Sequence, residues 1–126
     1  MGWSGMLIEA NPANFARLCG NCRKAWGVHA AVCNQTQAVH FAQGSEDAVG
    51  GILEFMSKQH ARRWVSPKLR RKMELVTCAP LGALLETAGV NHVQFLSLDV
   101  EGAELDVLRT INWRAVQIDV AAVENG

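Results

Sequence analysis

The sequence predicts an α/β fold with a mainly parallel sheet and flanking helices. Short apolar runs of strand length alternate with stretches in which apolar residues recur at helical spacing, which is the pattern of βαβ units. The chain has 126 residues, of which 49% are hydrophobic. That length suits one domain, and that apolar content is too high for a disordered chain. We therefore expect a single globular domain over residues 1–126.

The first half of the chain is predicted to hold four strands and one long helix. The strands are Met6–Glu9, Val28–Cys33, Ala38–Ala42 and Val49–Phe55. Pro12 is well placed at a helix start, where its missing N–H has no intrahelical partner. The apolar spacing carries this helix to about Ala25, and we expect Gly27 to stop it. Gly50 and Gly51 weaken the prediction of the fourth strand.

The second half is predicted to alternate strands and helices. The strands are Glu74–Cys78, Val93–Asp99 and Val116–Val123. Pro80 opens a helix with a leucine stripe, and Gly89 closes it. A further helix is expected over Glu101–Thr110, because Glu101 and Glu104 in its first turn would suit the helix dipole.

The formal net charge of zero conceals an uneven distribution of charges. Residues 58–72 contain seven basic residues and no acid, whereas residues 73–126 contain eight acids and two bases. No apolar period runs through residues 56–73, so we expect a basic insert or loop with one helical turn. Two interpretations are open: a solvated surface, or a lid over an anionic substrate or partner.

Several function classes find no support in the sequence. No apolar run approaches the ~18–20 residues of a membrane span, and the first residues lack the features of a secretory signal. The neutral charge argues against a general nucleic-acid binder, although Arg62-Arg63-Trp64 sets an aromatic residue among bases. The histidines are dispersed, so we expect no metal site, and neither GxxxxGK[ST] nor GxGxxG is present.

Acidic residues stand at the ends of three predicted strands. They are Glu9, Asp99 with Glu101, and Glu124. Ligands of open α/β sheets bind outside the carboxyl ends of the strands, and an acid there can accept hydrogen bonds from the hydroxyls of a ribose. One such acid is weak evidence because acids often cap helices, but three at one edge favour a nucleotide-like cofactor.

Four segments of the chain resemble the FkbM family of S-adenosylmethionine-dependent methyltransferases. They are GWSGMLIEANPANFARL, HAAVC, CAPLGALLETAGVNHVQFLSLDVEGAELDVLRTINW and a final strand ending in VEN. The resemblance covers nearly the whole chain apart from residues 56–73, and LSLDVEGAELDVLR is its most specific part. It implies a Rossmann-like methyltransferase fold, S-adenosylmethionine as cofactor, and methyl transfer that usually goes to a hydroxyl oxygen.

The resemblance also assigns roles to residues of the predicted cofactor site. Glu9 would bind the ribose hydroxyls, and Asn11 would help to shape the same pocket. Ala30 and Ala31 would pass near the adenine, and Asp99 would lie beside the methionine end of the cofactor.

Two acids are candidates for catalysis by the same resemblance. Glu101 would lie near the transferred methyl group and would orient or deprotonate the acceptor, with Asp99 as the second candidate. The alternative for Glu101 is an acid that only stabilises the start of a helix.

The resemblance further implies that the 126 residues are part of a larger domain. In the family the first strand and its glycine-rich loop come before IEANP, and further strands complete the sheet. We therefore expect the first strand, the glycine-rich loop and the C-terminal strands to be missing, and we expect cofactor binding or catalysis by this chain alone to be impaired.

The four cysteines form two predicted groups. Cys19 and Cys22 make a CxxC inside a predicted helix, where packing competes with zinc binding and a second close pair is missing. Cys33 and Cys78 fall in matching parts of the family pattern, at neighbouring edges of the fold, so a disulfide between them is a hypothesis. Such a bond would favour a secretory or lumenal compartment, and without it the default is cytoplasmic.

The expected partner is a small-molecule or glycan-type methyl acceptor. The basic insert favours an acidic or phosphorylated one. Two alternatives remain open: a catalytically inactive Rossmann-like module for binding or interaction, and anion binding through the basic insert.

Overall fold

The computed structural model of the chain describes residues 4–21, 25–42, 51–55, 57–64, 67–70, 73–100 and 102–124. The strands are β1 (Gly5–Glu9), β2 (Ala25–His29), β3 (Ala31–Val32), β4 (Gln37–Ala42), β5 (Gly51–Ile52), β6 (Glu74–Ala79), β7 (His92–Leu98) and β8 (Gln117–Val123). The helices are α1 (Pro12–Asn21), α2 (Lys58–Trp64), α3 (Pro67–Arg70), α4 (Leu81–Thr87) and α5 (Glu104–Arg109), with a 3₁₀ turn at Leu53–Phe55. Strands and helices alternate from β6 onward, whereas β2 to β5 follow one another with no described helix between them, so the alternation that the sequence predicts is confirmed only in part.

The chain divides into two compact units. The first unit comprises Met1–Ala31 and Gln37–Thr77, and the second comprises Val32–Thr36 and Cys78–Gly126. Buried side chains of the first unit include Val39, Phe41 and Val76. Those of the second unit include Leu81, Leu85, Leu98, Val107, Ile111 and Val116.

The described strands form three sheets rather than one. β1 pairs with β2 in parallel, β7 pairs with β8 in parallel, and a four-stranded sheet has the order β3-β6-β4-β5 with β4 and β5 antiparallel. The expected single, mainly parallel sheet is therefore found only in part. The antiparallel pair has a physical cause, because the eight residues between Ala42 and Gly51 are too few for a parallel crossover.

The predicted end of the first helix was wrong. α1 stops at Asn21, and Gly27 lies inside strand β2 instead of ending the helix. A Cβ atom at Gly27 would lie 3.2 Å from a ring carbon of Phe15 and 3.7 Å from the sulfur of Cys19. Gly27 therefore lets α1 pack closely against β2. Cys19 is exposed and Cys22 lies outside the described residues, so the choice between packing and zinc binding for this pair stays open.

Three further predicted elements differ from the structure. The predicted strand Val28–Cys33 is divided, because the chain leaves its pairing with β1 after Ala30 and pairs with β6 from Ala31. Of the predicted strand at residues 49–55, only Gly51–Ile52 is a strand and the next three residues form the 3₁₀ turn, while residues 49 and 50 lie outside the described residues. The basic insert, expected to be mainly loop, contains the two helices α2 and α3.

The second unit is held together by buried leucines and by a close helix contact. Leu81 and Leu85 are buried on one face of α4, and Gly89 ends that helix with a φ of +69°, as the sequence predicts. The N–H of Gly82 donates to the hydroxyl of Thr110, and a Cβ atom at Gly82 would overlap the backbone carbonyl oxygen of that residue. Only glycine fits this approach.

A disulfide joins Cys33 and Cys78 in the second unit. Their Cα atoms lie 5.9 Å apart, which is within the usual range for a disulfide, and both residues are buried. The backbone N–H of Cys33 also donates to the carbonyl oxygen of Ala79 at 3.1 Å. The disulfide that the sequence suggested is confirmed in the structure.

Candidate functional site

The first group of predicted site residues lies at the carboxyl end of β1. Glu9 is the last residue of the strand, and its Oε1 accepts a hydrogen bond of 2.8 Å from the backbone N–H of Asn11. A carboxylate can accept about four hydrogen bonds, so this contact fixes the orientation of Glu9 and leaves capacity for ligand hydroxyls. The side chain is half-buried, which keeps it within reach of a ligand.

Asn11 also caps the helix that follows Glu9. Its side-chain oxygen accepts hydrogen bonds from the N–H groups of Ala13 at 3.0 Å and Asn14 at 3.3 Å. These bonds satisfy two donors that an α-helix leaves without partners in its first turn. Asn11 thus holds the turn between β1 and α1 with its side chain and orients Glu9 with its backbone.

Ala30 and Ala31 lie directly after β2, beside the same strand end. The N–H of Ala30 donates to the carbonyl oxygen of Glu9 at 3.2 Å, which extends the pairing of β1 and β2 by one residue. Both alanines are buried, with exposed fractions of 5% and 2%. The structure therefore brings together Glu9, Asn11, Ala30 and Ala31, four of the five residues predicted to bind the cofactor.

Phe15 and His29 form a stacked pair in this region that was not predicted from the sequence. Their ring centroids lie 4.9 Å apart with an angle of 12° between the planes. Nε2 of His29 lies 3.2 Å from the carbonyl oxygen of Ala10, so the ring is held on both sides. The parallel register also sets His29 opposite Glu9. The available signal was the position of His29, which ends a strand just before the two alanines.

The second group of predicted site residues lies in the second unit, at the ends of β7 and β8. Asp99 follows β7, Glu124 follows β8, and the N–H of Glu124 donates to the carbonyl oxygen of Leu98 at 3.0 Å. Carboxylate oxygens of Asp99, Glu104 and Glu124 lie within 4.8 Å of one another, and we call these three residues the acidic cluster. Two of the strand-end acids are thus close together, and Glu104 joins them. Such acids also occur without a cation, so the prediction of no metal site stays a prediction.

Glu104 was not singled out as a site residue from the sequence. It is 8% exposed, and its Oε1 accepts hydrogen bonds of 3.1 Å from the N–H groups of both Val100 and Gly102. Gly102 has a φ of +100°, a conformation that side chains rarely adopt. The hydrogen bond from Gly102 contributes most to a pKa of Glu104 below its ordinary value, because it stabilises the ionised carboxylate. An ionised Glu104 therefore holds the loop that follows Asp99.

Helix α5 begins at Glu104 rather than at Glu101, where the sequence predicted its start. Glu101 itself, the first catalytic candidate, lies outside the described residues. Its role stays a prediction.

A family model for the methyltransferase FkbM domain matches the chain over residues 1–126. The chain belongs to the FkbM methyltransferase family. The match includes the basic insert, which the sequence resemblance did not cover. Neither the curated proteins nor the solved structures contain a significant match to the chain.

Membership of the FkbM family implies a methyltransferase fold and supports methyltransferase activity for this protein. The two most specific segments of the resemblance, IEANP and LSLDVEGAELDVLR, contain Glu9 with Asn11 and Asp99 with Glu104. In the structure each segment contains a carboxylate oriented by backbone N–H groups: Glu9 at the end of β1, and Glu104 at the start of α5. The division of the chain into one partial domain with an insert stays a prediction.

Proposed function

We propose that the protein is an S-adenosylmethionine-dependent methyltransferase of the FkbM type, with a Rossmann-like fold, that methylates a hydroxyl oxygen. The observation that carries the proposal is the oriented carboxylate of Glu9 at the end of β1, in a chain that matches the FkbM domain over its whole length. An acid at this place in a βαβ unit is suited to the two hydroxyls of a ribose.

The residues around Glu9 fit the nucleoside part of this cofactor. Ala30 and Ala31 are buried directly after β2 and carry only methyl groups, so no bulky side chain at these two positions would block the approach of a flat ring to this strand end. The absence of a phosphate-binding GxGxxG or GxxxxGK[ST] motif agrees with the proposal, because S-adenosylmethionine has no phosphate.

The acidic cluster of the second unit is by itself suited to attract a cationic group. S-adenosylmethionine carries a positive sulfonium and a positive ammonium group near its methionine end. Three carboxylates within 4.8 Å create a negative potential that attracts such groups. The family resemblance assigns Asp99, an exposed acid of LSLDVEG, to this end of the cofactor, and we propose the same role here.

When bound, S-adenosylmethionine supplies a methyl group attached to a sulfonium sulfur. After the transfer, that sulfur remains as a neutral thioether. The protein's own part is to hold the acceptor hydroxyl in line and to accept its proton as the new C–O bond forms. Glu101 is our candidate for that proton acceptor, and Asp99 is the second candidate. The acceptor is proposed to be a small molecule or glycan-type compound, and the bases of residues 58–72 favour an acidic one.

Calorimetric titration of S-adenosylhomocysteine into the purified protein tests this proposal. Because binding by these 126 residues alone is expected to be impaired, we expect weak but saturable binding, and Glu9→Ala should weaken it further by about 5- to 150-fold, since charge-assisted hydrogen bonds contribute about 1–3 kcal/mol. Glu86→Ala is the matched control, because this exposed acid on α4 lies outside the site and its replacement should leave binding unchanged. Equal affinity of the Glu9→Ala variant and the parent protein would refute the ribose assignment.

We further propose that the protein functions in a secretory or lumenal compartment. The support is the Cys33–Cys78 disulfide, because such bonds persist mainly in oxidising environments. Alkylation of free thiols in freshly lysed cells, followed by non-reducing peptide mapping, should find the two cysteines linked. Recovery of both as alkylated thiols would contradict this compartment.

A further inference from the structure

The sequence between Phe55 and Leu75 is strongly basic at residues 58–72, and both of these flanking apolar residues are exposed. This basic segment contains Lys58, Arg62, Arg63, Lys68, Arg70, Arg71 and Lys72 and no acid. Glu54 and Glu74 bound it on either side, so the positive charge is confined to these fifteen residues. Wherever the structure describes them, the basic side chains of α2 and α3 are exposed.

The charges of the basic segment are only partly explained by stabilisation of its own helices, since Arg62 and Arg63 stand in the last turn of α2, where bases suit the helix dipole. Lys58 and Arg62 stand four residues apart on α2, where like charges destabilise a helix. Among the described residues, no carboxylate lies within 4.0 Å of Lys58, Arg62 or Lys68. An external anionic partner would compensate these charges.

An exposed apolar side chain stands near each end of the basic segment. Phe55, the last residue of the 3₁₀ turn, is 51% exposed, and Leu75 at the start of β6 is 65% exposed. Surfaces that lie on membranes combine these features, because bases contact anionic headgroups while aromatic and aliphatic side chains enter the boundary with the acyl chains. Phosphates of a nucleic acid would satisfy the bases, but a nucleic acid has no apolar layer for Leu75.

We propose that the basic segment, together with Phe55 and Leu75, docks the protein on an anionic lipid surface. The proposed binding is peripheral. No described helix has the length and apolar character to cross a bilayer. It is independent of cofactor binding, because none of these residues is assigned to the cofactor site. The chemistry recognised is a lipid headgroup phosphate or carboxylate at the edge of an apolar phase.

Vesicle co-sedimentation tests this proposal. Vesicles of phosphatidylcholine with about 30% phosphatidylserine should bind the protein in low salt, and vesicles of phosphatidylcholine alone should bind it weakly. Each base near the surface changes the partition coefficient about fivefold. Combined replacement Lys58→Gln, Arg62→Gln and Lys68→Gln is therefore expected to lower partitioning about 100-fold, and Phe55→Ala with Leu75→Ala should lower it at all salt concentrations.

A matched control makes the same charge change elsewhere. Arg17→Gln, Arg109→Gln and Arg114→Gln replace three exposed bases outside the basic segment and should lower partitioning only slightly. Equal losses in the two triple variants would overturn the proposal, as would equal binding to the two kinds of vesicle. A nucleic acid would be favoured instead, and the proposal overturned, by the following result. The protein binds single-stranded RNA but not vesicles, and the RNA binding is lost in the first triple variant but unaffected by Phe55→Ala and Leu75→Ala. Circular dichroism of each variant checks that it is folded.

Discussion

Loss of the Cys33–Cys78 disulfide is expected to lower the free energy of unfolding by about 4 kcal/mol. The bond links residues that are 45 positions apart in the chain. In the chain-entropy description, a closed loop of that length removes about 13 cal/mol/K of entropy from the unfolded chain, which gives about 4 kcal/mol at 25 °C. Since small domains have total stabilities of about 5–15 kcal/mol, the reduced protein should be only marginally stable.

Urea unfolding of the oxidised and reduced protein measures this difference without changing the sequence. If the free energy of unfolding falls by about 2 kcal/mol per molar urea, the urea midpoint should drop by about 2 M on reduction. The double variant Cys33→Ala with Cys78→Ala should unfold at least as early, because both side chains are buried and their removal leaves a space.

Cys19 provides the control for this experiment. It is exposed and unpaired in the described part of the chain, so Cys19→Ala should leave the midpoint and its response to reductant unchanged. Equal midpoints for the oxidised and reduced parent protein would refute the reasoning, and a non-reducing peptide map showing both thiols free would refute the bond itself.

Three further predictions concern stability. Gly82→Ala should lower the free energy of unfolding by about 1–3 kcal/mol, because a Cβ atom would overlap the carbonyl oxygen of Thr110. Gly20 lies in α1 with open space around it, so Gly20→Ala should be neutral or stabilising in the same urea assay. Glu104→Ala should lower the urea midpoint, because the N–H groups of Val100 and Gly102 lose their acceptor. The free energy of unfolding should fall as the pH drops from about 6 to 3, which unfolding midpoints measured across that range would show. The reason is that carboxylates whose pKa is lowered in the folded protein take up protons on unfolding, and at low pH this favours the unfolded state.

The sign of the pH effect follows from three carboxylates. Partial burial acts to raise the pKa of Glu54, but hydrogen bonds from the side chain and backbone of His40 outweigh it and leave the pKa below 4.5. The side-chain amide of Gln117, followed by His92, lowers the pKa of Asp119. Each of these two carboxylates, like Glu104, stabilises the folded protein when the pH is above the ordinary pKa of the group. This stabilisation is lost as the pH falls through the lower pKa that the group has in the folded protein. A midpoint that stays constant down to pH 3 would contradict these hydrogen bonds.

Local chemistry predicted the second half of the chain better than the first. The leucine stripe of α4 and the terminating Gly89 are short-range signals, and both are found where expected. The family resemblance predicted the pairing of Cys33 with Cys78, which no local pattern could indicate because the two residues are 45 positions apart.

The misinterpreted features depend on contacts between elements. A glycine after a helical stretch usually indicates the end of the helix, but Gly27 instead lets α1 pack closely on β2. That role depends on the ring of Phe15, which lies twelve positions earlier in the chain. Residues 58–72 lack an apolar period, so the sequence predicts a loop with one helical turn where the structure has α2 and α3. Glu104 was interpreted as an ordinary first-turn acid, since nothing in the sequence shows that its carboxylate reaches back to Val100 and Gly102.

Nuclear magnetic resonance mapping of S-adenosylhomocysteine onto the ¹⁵N-labelled protein tests the central assignment most directly. With the ligand titrated to millimolar concentration, we predict saturable shifts centred on the amides of Glu9, Asn11, Ala30 and Ala31, and their loss in Glu9→Gln. Saturable shifts that avoid these amides, or the absence of any shift at millimolar ligand, would contradict the assignment of this strand end as the cofactor site.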